Sequence, residues 1–264
     1  MSIQTLYTAA TGMESLQTKL DVIANNLANV NTTGFKKGRA NFEDLFYRHY
    51  KYPGTLDSQG NPTATGTSVG LGSRVQSVQT SQQQGASQQT NGQFDMAIEG
   101  QGFFQVQDSS GQTLYTRAGN FSTNATGELV LGSASSGRRL FPNVQLPPGA
   151  TNFSITEDGV MSYVLNGTQT PLNTLEIATF TNPEGLLKLG DNLYATTEAS
   201  GQPTTGNPNL NGVGQIRGGT LEASNVEPVQ ELIDLITTQR SFELNSQAIQ
   251  AGDQILQLIS NLRR

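Results

Sequence analysis

Apolar side chains at Leu6, Ala9, Met13, Leu16, Leu20, Ile23, Leu27 and Val30 recur in steps of three and four, an unbroken heptad seam. The segment has no proline, its single internal glycine is Gly12, and Gly34 stands where a C-terminal cap belongs. The spacing therefore predicts a helix over 3–31. The other end of the chain answers with Val226, Val229, Ile233, Ile236, Arg240, Leu244, Ala248, Ala251, Ile255, Leu258 and Leu262. Three consecutive steps of four form a stutter with the polar Arg240 on the seam, where a local change of pitch is expected. Ser224 and Glu227 have capping-box spacing, Asn225 is a second cap candidate, and Pro228 is tolerated in a first turn. A narrow apolar stripe cannot be buried by its own helix, so two such stripes predict terminal helices paired as a coiled coil or packed against other copies. An ordinary helical hairpin closing one domain is the alternative for the same pattern, and the narrow 3,4 seam speaks against it.

Between the helices the period changes to two. The stretches 103–107, 113–117, 128–131, 153–156, 160–165 and 175–180 are short, strand-like and bounded by Gly, Asn, Asp and Pro. Asp158-Gly159 and Asn166-Gly167 are tight-turn dipeptides. This middle reads as a mainly antiparallel β domain, and the whole as an α+β chain. The expected organisation is a discontinuous helical domain of residues 1–34 with 221–264, an extended connector over 35–91, and a β-rich outer domain over 92–220. Residues 52–91 are dense in Gly, Ser, Thr and Gln, the composition of extended or loosely structured chain.

Composition narrows the class. The 264 residues suffice for one large or two modest domains. With 29 glycines beside a 34% hydrophobic fraction the apolar content is ordinary, whereas 14% charged residues is low, and Gln, Asn, Ser and Thr fill the gap. The net charge of −6 leaves no concentrated basic face and disfavours nucleic-acid binding. Lys36, Lys37 and Arg39 form the densest basic cluster, and at a helix end they would complement the dipole. Absence of cysteine excludes disulfides and thiolate metal sites. No apolar run is long enough to span a bilayer, so no membrane insertion is expected. The N-terminus has neither basic n-region nor continuous h-region, so export without a cleavable signal peptide is the expectation.

Catalytic chemistry finds little material. His49 is the only histidine and has no ligand spacing around it, so neither a metal nor another cofactor is expected. Glu157 and Asp158 are paired carboxylates, a pattern glycoside cleavage uses, yet the following Gly159 marks a turn. Asp95 and Glu99 flank an apolar triplet before Gly100-Gln101-Gly102 without a helper residue. Gly70-Leu71-Gly72 and Gly212-Val213-Gly214 lack the pattern of a phosphate loop. The chain therefore reads as no enzyme. Tyr47, Tyr50, Tyr52 and Pro53 are large or stiff for a tether, and predict that the segment 47–66 acts as a strut between neighbouring subunits.

Residues 24–36 read ANNLANVNTTGFK, 100–106 GQGFFQV, 115–121 YTRAGNF, 219–232 GTLEASNVEPVQEL and 239–249 QRSFELNSQAI. In this order, with heptad ends around a β middle, they resemble the signatures of the flagellar rod and hook proteins across nearly the whole chain. Length and the stretches 42–66 and 210–216 are most similar to the distal rod subunit, whereas 82–89 and 138–142 have no close match. The resemblance implies a subunit exported by the flagellar type III apparatus that polymerises into a hollow helical shaft from periplasm to outer membrane and transmits torque to the hook. Implied partners are other copies, other rod proteins, hook-side axial proteins and the P and L ring proteins. The terminal helices would form the inner polymerisation domain, carried by Leu6, Met13, Leu16, Leu20, Ile23, Leu27 and Val30 with Val229, Ile233, Ile236, Leu244, Ile255, Leu258 and Leu262. A proximal rod or hook subunit is the nearest alternative; a secreted β-rich adhesin would not require paired heptads at both ends, and a peptidoglycan enzyme would need an acid, nucleophile or metal set that the sequence does not supply.

Overall fold

The computed structural model describes residues 3–56, 62, 64–132, 137–210 and 212–262. They contain two α-helices, α1 (Ile3–Ala28) and α2 (Pro228–Leu262), with strands, turns and one short 3-10 turn between them. The chain divides into two compact units. A helical unit comprises Met1–Ala28, Gly38–Gln79 and Glu227–Arg264, and a β unit comprises Asn29–Lys37 and Thr80–Val226.

In the helical unit α1 ends at Ala28, short of Val30, and α2 runs unbroken through Arg240, which lies exposed and paired to Glu243 at 3.0 Å. The helices are antiparallel. Leu6 of α1 faces Gly252, Gly12 faces the Asn245 side chain, and Asn26 hydrogen-bonds Glu231. The predicted coiled coil, however, does not form. The face of α2 that loses solvent comprises Glu231, Leu235, Thr238, Phe242, Asn245, Ile249, Gly252 and Ile255, in which polar or small residues alternate with large apolar ones. Val229, Ile233, Ile236, Leu244 and Leu258, the expected seam, are between 49% and 71% exposed. As far as Phe242 the two series are two residues out of phase, and two residues turn about 200° round a helix; after the run of four-residue steps the offset shrinks to one, and at Ile255 the two coincide. The apolar stripe is real, but over the first half of α2 it points away from α1. Glycines at the crossing and the buried polar contact at Asn26 selected the opposite face.

The same unit holds two antiparallel ribbons in a span that reads from sequence as an extended connector. Gly38–Asp44 pairs with Ser73–Thr80, and Tyr47–Lys51 pairs with Thr67–Gly70. These strands are poor in large apolar residues; ladder pairing nevertheless satisfies their backbone groups.

The β unit has its own core. Its main sheet is nine-stranded, running in order Leu187–Gly190, Leu193–Ala195, Thr113–Thr116, Phe103–Gln107, Arg139–Phe141, Leu129–Leu131 and Phe121–Thr123, with Ile177–Thr179 also paired to Phe103–Gln107 and to Thr204–Gly206. A three-stranded meander of Thr151–Ile155, Val160–Leu165 and Thr168–Thr174 contains the expected Asn166-Gly167 turn. Both turn residues have positive φ, 51° and 81°, which matches a tight hairpin with Leu165 opposite Thr168. Met96, Ile98, Phe104, Val106, Leu129, Leu140, Met161, Leu175, Ile177 and Ile216 are essentially solvent-free. Phe103, Tyr115, Ala178, Leu186 and Tyr194 form a second cluster with Phe180.

An exposed apolar face and two buried polar knots

The units differ in what they bury. Among the described residues, the only buried apolar side chain of the helical unit is Ile23. Leu6, Met13, Leu16, Leu20 and Leu27 on α1 are half-buried, as is Ile255 on α2, and Val30 sits half-buried beyond the end of α1. Val229, Leu232, Ile233 and Ile236, spaced three and four apart, make one exposed stripe along the first two turns of α2, and Leu244 and Leu258 extend it. The side chain of Leu262 lies outside the described residues. A polar-cored, apolar-surfaced unit inverts the usual partition, and contiguous exposed apolar surface of this kind marks an interaction face.

The Tyr47–Lys51 strand of the same unit is aromatic and exposed. Tyr47, Tyr50, Tyr52 and Pro53 all face solvent, with Phe46 at 87% exposure. His49 stacks on Tyr52 at 5.1 Å, and the Arg48 guanidinium lies 5.1 Å from the centre of the Tyr50 ring. A hydrogen bond to Asp44 raises the Tyr47 phenol above its ordinary pKa. Of the expected strut, residues 57–61 and 63 lie outside the described residues.

Sequence reading missed two buried polar knots, although the motif residues supply both. In the helical unit Asn26 is 2% exposed. Its side chain accepts from the Gly38 N–H at 2.8 Å, donates to the Gly38 carbonyl at 2.9 Å, and donates to Glu231 at 3.2 Å. An amide side chain thus pairs with both backbone groups of Gly38 as a neighbouring strand would, while tying α1 to α2.

The second knot lies wholly in the β unit. Lys36, expected as a solvated dipole partner, is instead 1% exposed. Its ammonium donates to Glu222 at 2.6 Å and to the Gln83 carbonyl at 2.7 Å. Arg117 approaches the other Glu222 oxygen at 3.5 Å, donates to the Gly100 carbonyl at 2.8 Å and covers the Phe103 ring at 5.3 Å. Burial pulls the Lys36 ammonium below the ordinary lysine pKa, partly offset by Glu222 and reinforced by Arg117. Burial likewise lowers Arg117. Gly34, at φ +68°, lets the chain pass: a β carbon there would stand 2.7 Å from Ala118 N and Arg117 C. Asn225, a candidate helix cap, commits its side chain here, accepting from Lys37 N–H at 2.8 Å and donating to the Ser81 and Gln83 carbonyls. The sequence signal was the type of residue, not its period: Asn26, Lys36, Arg117 and Glu222 are hydrogen-bonding or charged residues within the motifs.

Three of the four carboxylates weighed for catalysis have structural partners. Glu99 takes Arg217 at 2.9 Å and Gln215 at 2.8 Å; Asp158 accepts from Asn209 at 3.0 Å in the Gly159 turn; Asp95 accepts from Thr90. Gly72 fits against the Thr11 side chain and Gly214 against the Glu99 and Gln101 carbonyls, so one glycine of each pair serves close approach. Among the described residues no group of His, Asp and Glu has metal-site geometry, and no helix is long and apolar enough to cross a membrane.

Residues 6–36 match the family described as flagella basal body rod protein, residues 97–163 the flagellar hook protein FlgE/F/G D1 domain, and residues 217–262 the flagellar basal body rod FlgEFG protein C-terminal family. The chain is 42% identical to the flagellar basal-body rod protein FlgG of Buchnera aphidicola subsp. Acyrthosiphon pisum, over 98% of this chain and 100% of that one. It is 41% identical to FlgG of Borreliella burgdorferi, over 99% of both chains, and 39% identical to FlgG of Bacillus subtilis, over 99% of this chain and 100% of that one. Both knots draw on the matched segments, Asn26, Gly34 and Lys36 from the first, Arg117 from the second, and Glu222, Asn225 and Glu231 from the third, and with full-length identity at this level the chain belongs to the FlgG family of flagellar basal-body rod proteins.

Proposed function

We propose that this chain is a structural subunit of the distal rod, the segment of the flagellar drive shaft that crosses the periplasm and carries torque to the hook. The observation that supports this most is the inverted helical unit. A unit with Ile23 as its only buried apolar side chain among the described residues, and an apolar stripe turned outward on α2, is completed by neighbours. Repeated use of one such face against a different face of the next copy is heterologous contact, which builds helical filaments instead of closed rings. The half-buried residues of α1 and the exposed stripe of α2 are the polymerisation surface in this reading, and the aromatic ribbon with residues 47–66 is the strut between neighbours. The work done is mechanical; the carboxylates hold turns and strands, not substrate. Other rod proteins, hook-side proteins and the P and L rings are the expected contacts in the basal body, reached through the flagellar type III export apparatus. Electron microscopy of isolated basal bodies labelled with antibody to this chain tests the assignment. Label along the rod on the hook side is expected; label confined to the hook or the base of the rod would assign another axial position, and unlabelled basal bodies would refute it.

A further inference from the structure

The Lys36–Glu222–Arg117 knot lies among the segments through which the backbone enters and leaves the β unit. The chain passes between the units at 28/29, 37/38, 79/80 and 226/227. Just inside the β unit, 34–37, 81–85 and 222–225 are stitched together at one place. Gly34 N–H donates to the Glu222 carbonyl at 2.8 Å, Ser81 N–H to the Lys37 carbonyl at 2.9 Å, and Gly85 N–H to the Glu222 carboxylate at 2.9 Å. Lys37 N–H donates to Asn225, whose amide donates onward to the Ser81 and Gln83 carbonyls. Lys36 joins Gln83 to Glu222, and Arg117 roots Glu222 in the strand region that follows Thr113–Thr116.

We infer that this knot is a force-transmitting anchor, which fastens the crossing segments into the β unit as one body so that pull on any of them is shared by all. The inference rests on the rod reading for its mechanical purpose, but its structural content does not. Three segments held singly would peel one hydrogen bond at a time from an edge. Held by one buried carboxylate, one oxygen of which accepts from the Lys36 ammonium and the Gly85 backbone amide while the Arg117 guanidinium stands 3.5 Å from the other, they separate only if these contacts fail together. A buried charge is also a demanding choice for stability alone, because apolar replacement of such groups is often neutral or stabilising. Its distinguishing property is that it tolerates no partial opening.

Hydrogen exchange on the full-length chain tests the structural content. In Lys36→Met, exchange at the amides of Gly34, Lys37, Ser81 and Gly85 is expected to rise together by about 30-fold or more, with amides of the Phe103–Gln107 strand changing less than about 3-fold. If Lys36→Met does not fold, Asn225→Ala decides, since it removes neutral hydrogen bonds of the same knot and is expected to loosen the same amides. Exchange that rises equally in the core strand, or at only the amide next to the substitution, overturns the anchor. In cells, Asn225→Ala is expected to leave rods in normal number while lowering the ratio of swimming speed under viscous load to that in buffer; an unchanged ratio overturns the mechanical role. A wild-type chain absent from isolated rods would sink the rod reading while leaving the exchange result to stand.

Discussion

Val229→Ser with Leu244→Ser removes two side chains from the outward stripe of α2. They are 71% and 65% exposed, so together they present more than one whole aliphatic side chain to a neighbour. At about 1.5–3 kcal/mol for each fully buried side chain, the double substitution weakens each subunit contact by about 2–4 kcal/mol. That is a roughly 30- to 700-fold fall in the association constant. Inside a single subunit only the buried remainder of each side chain is lost, about 1–2 kcal/mol in total, which shifts the melting temperature by about 2–8 °C. The assay is sedimentation of purified protein across a concentration series, with a thermal melt as the control. The critical concentration for polymer is expected to rise by at least about 30-fold while the melt stays within that shift. Polymer at an unchanged concentration would refute the assignment of this stripe, and so would a collapsed melt, which would mean that the stripe is internal packing.

Three further outcomes follow from the knots and the ribbon. Asn26→Ala leaves both backbone groups of Gly38 and the buried Glu231 without their partner; about 3–6 kcal/mol should be lost from the helical unit, read as earlier loss of helical signal in chemical denaturation, and a loss below about 1 kcal/mol contradicts the clamp. Burial pushes the Tyr194 phenol up to about 12 from 10.0; the unfolded chain ionises first, so this stabilisation is complete below pH 10 and is lost as pH rises to about 12, by about 3 kcal/mol at most. Lys36, lowered by burial, contributes in the opposite sense below 10.5, so the diagnostic is comparison with Tyr194→Phe, whose stability curve should be flatter between pH 10 and 12; identical curves would show the phenol does not matter. Deleting residues 47–66 should leave subunits able to polymerise but give curved or pliable rods in electron micrographs, and straight rods of unchanged stiffness would reduce the aromatic ribbon to a surface loop.

The sequence by itself determined what local physics determines. Periodicity located both helices and several strands, including Phe103–Gln107 and Val160–Leu165 to the residue, and Asn166-Gly167 announced its hairpin because few other dipeptides accept two successive positive φ angles. The motif order identified the family. Tertiary structure decided which side of α2 meets α1, since an apolar stripe requires burial without naming the partner, and within one chain Gly12, Gly252, Asn26 and Glu231 made the opposite face fit closer. It also decided that Lys36 and Arg117 are buried and not solvated. Glu222, nearly two hundred residues from Lys36 along the chain, is the charge that makes their burial tolerable, and no pattern of neighbours records a partner so remote.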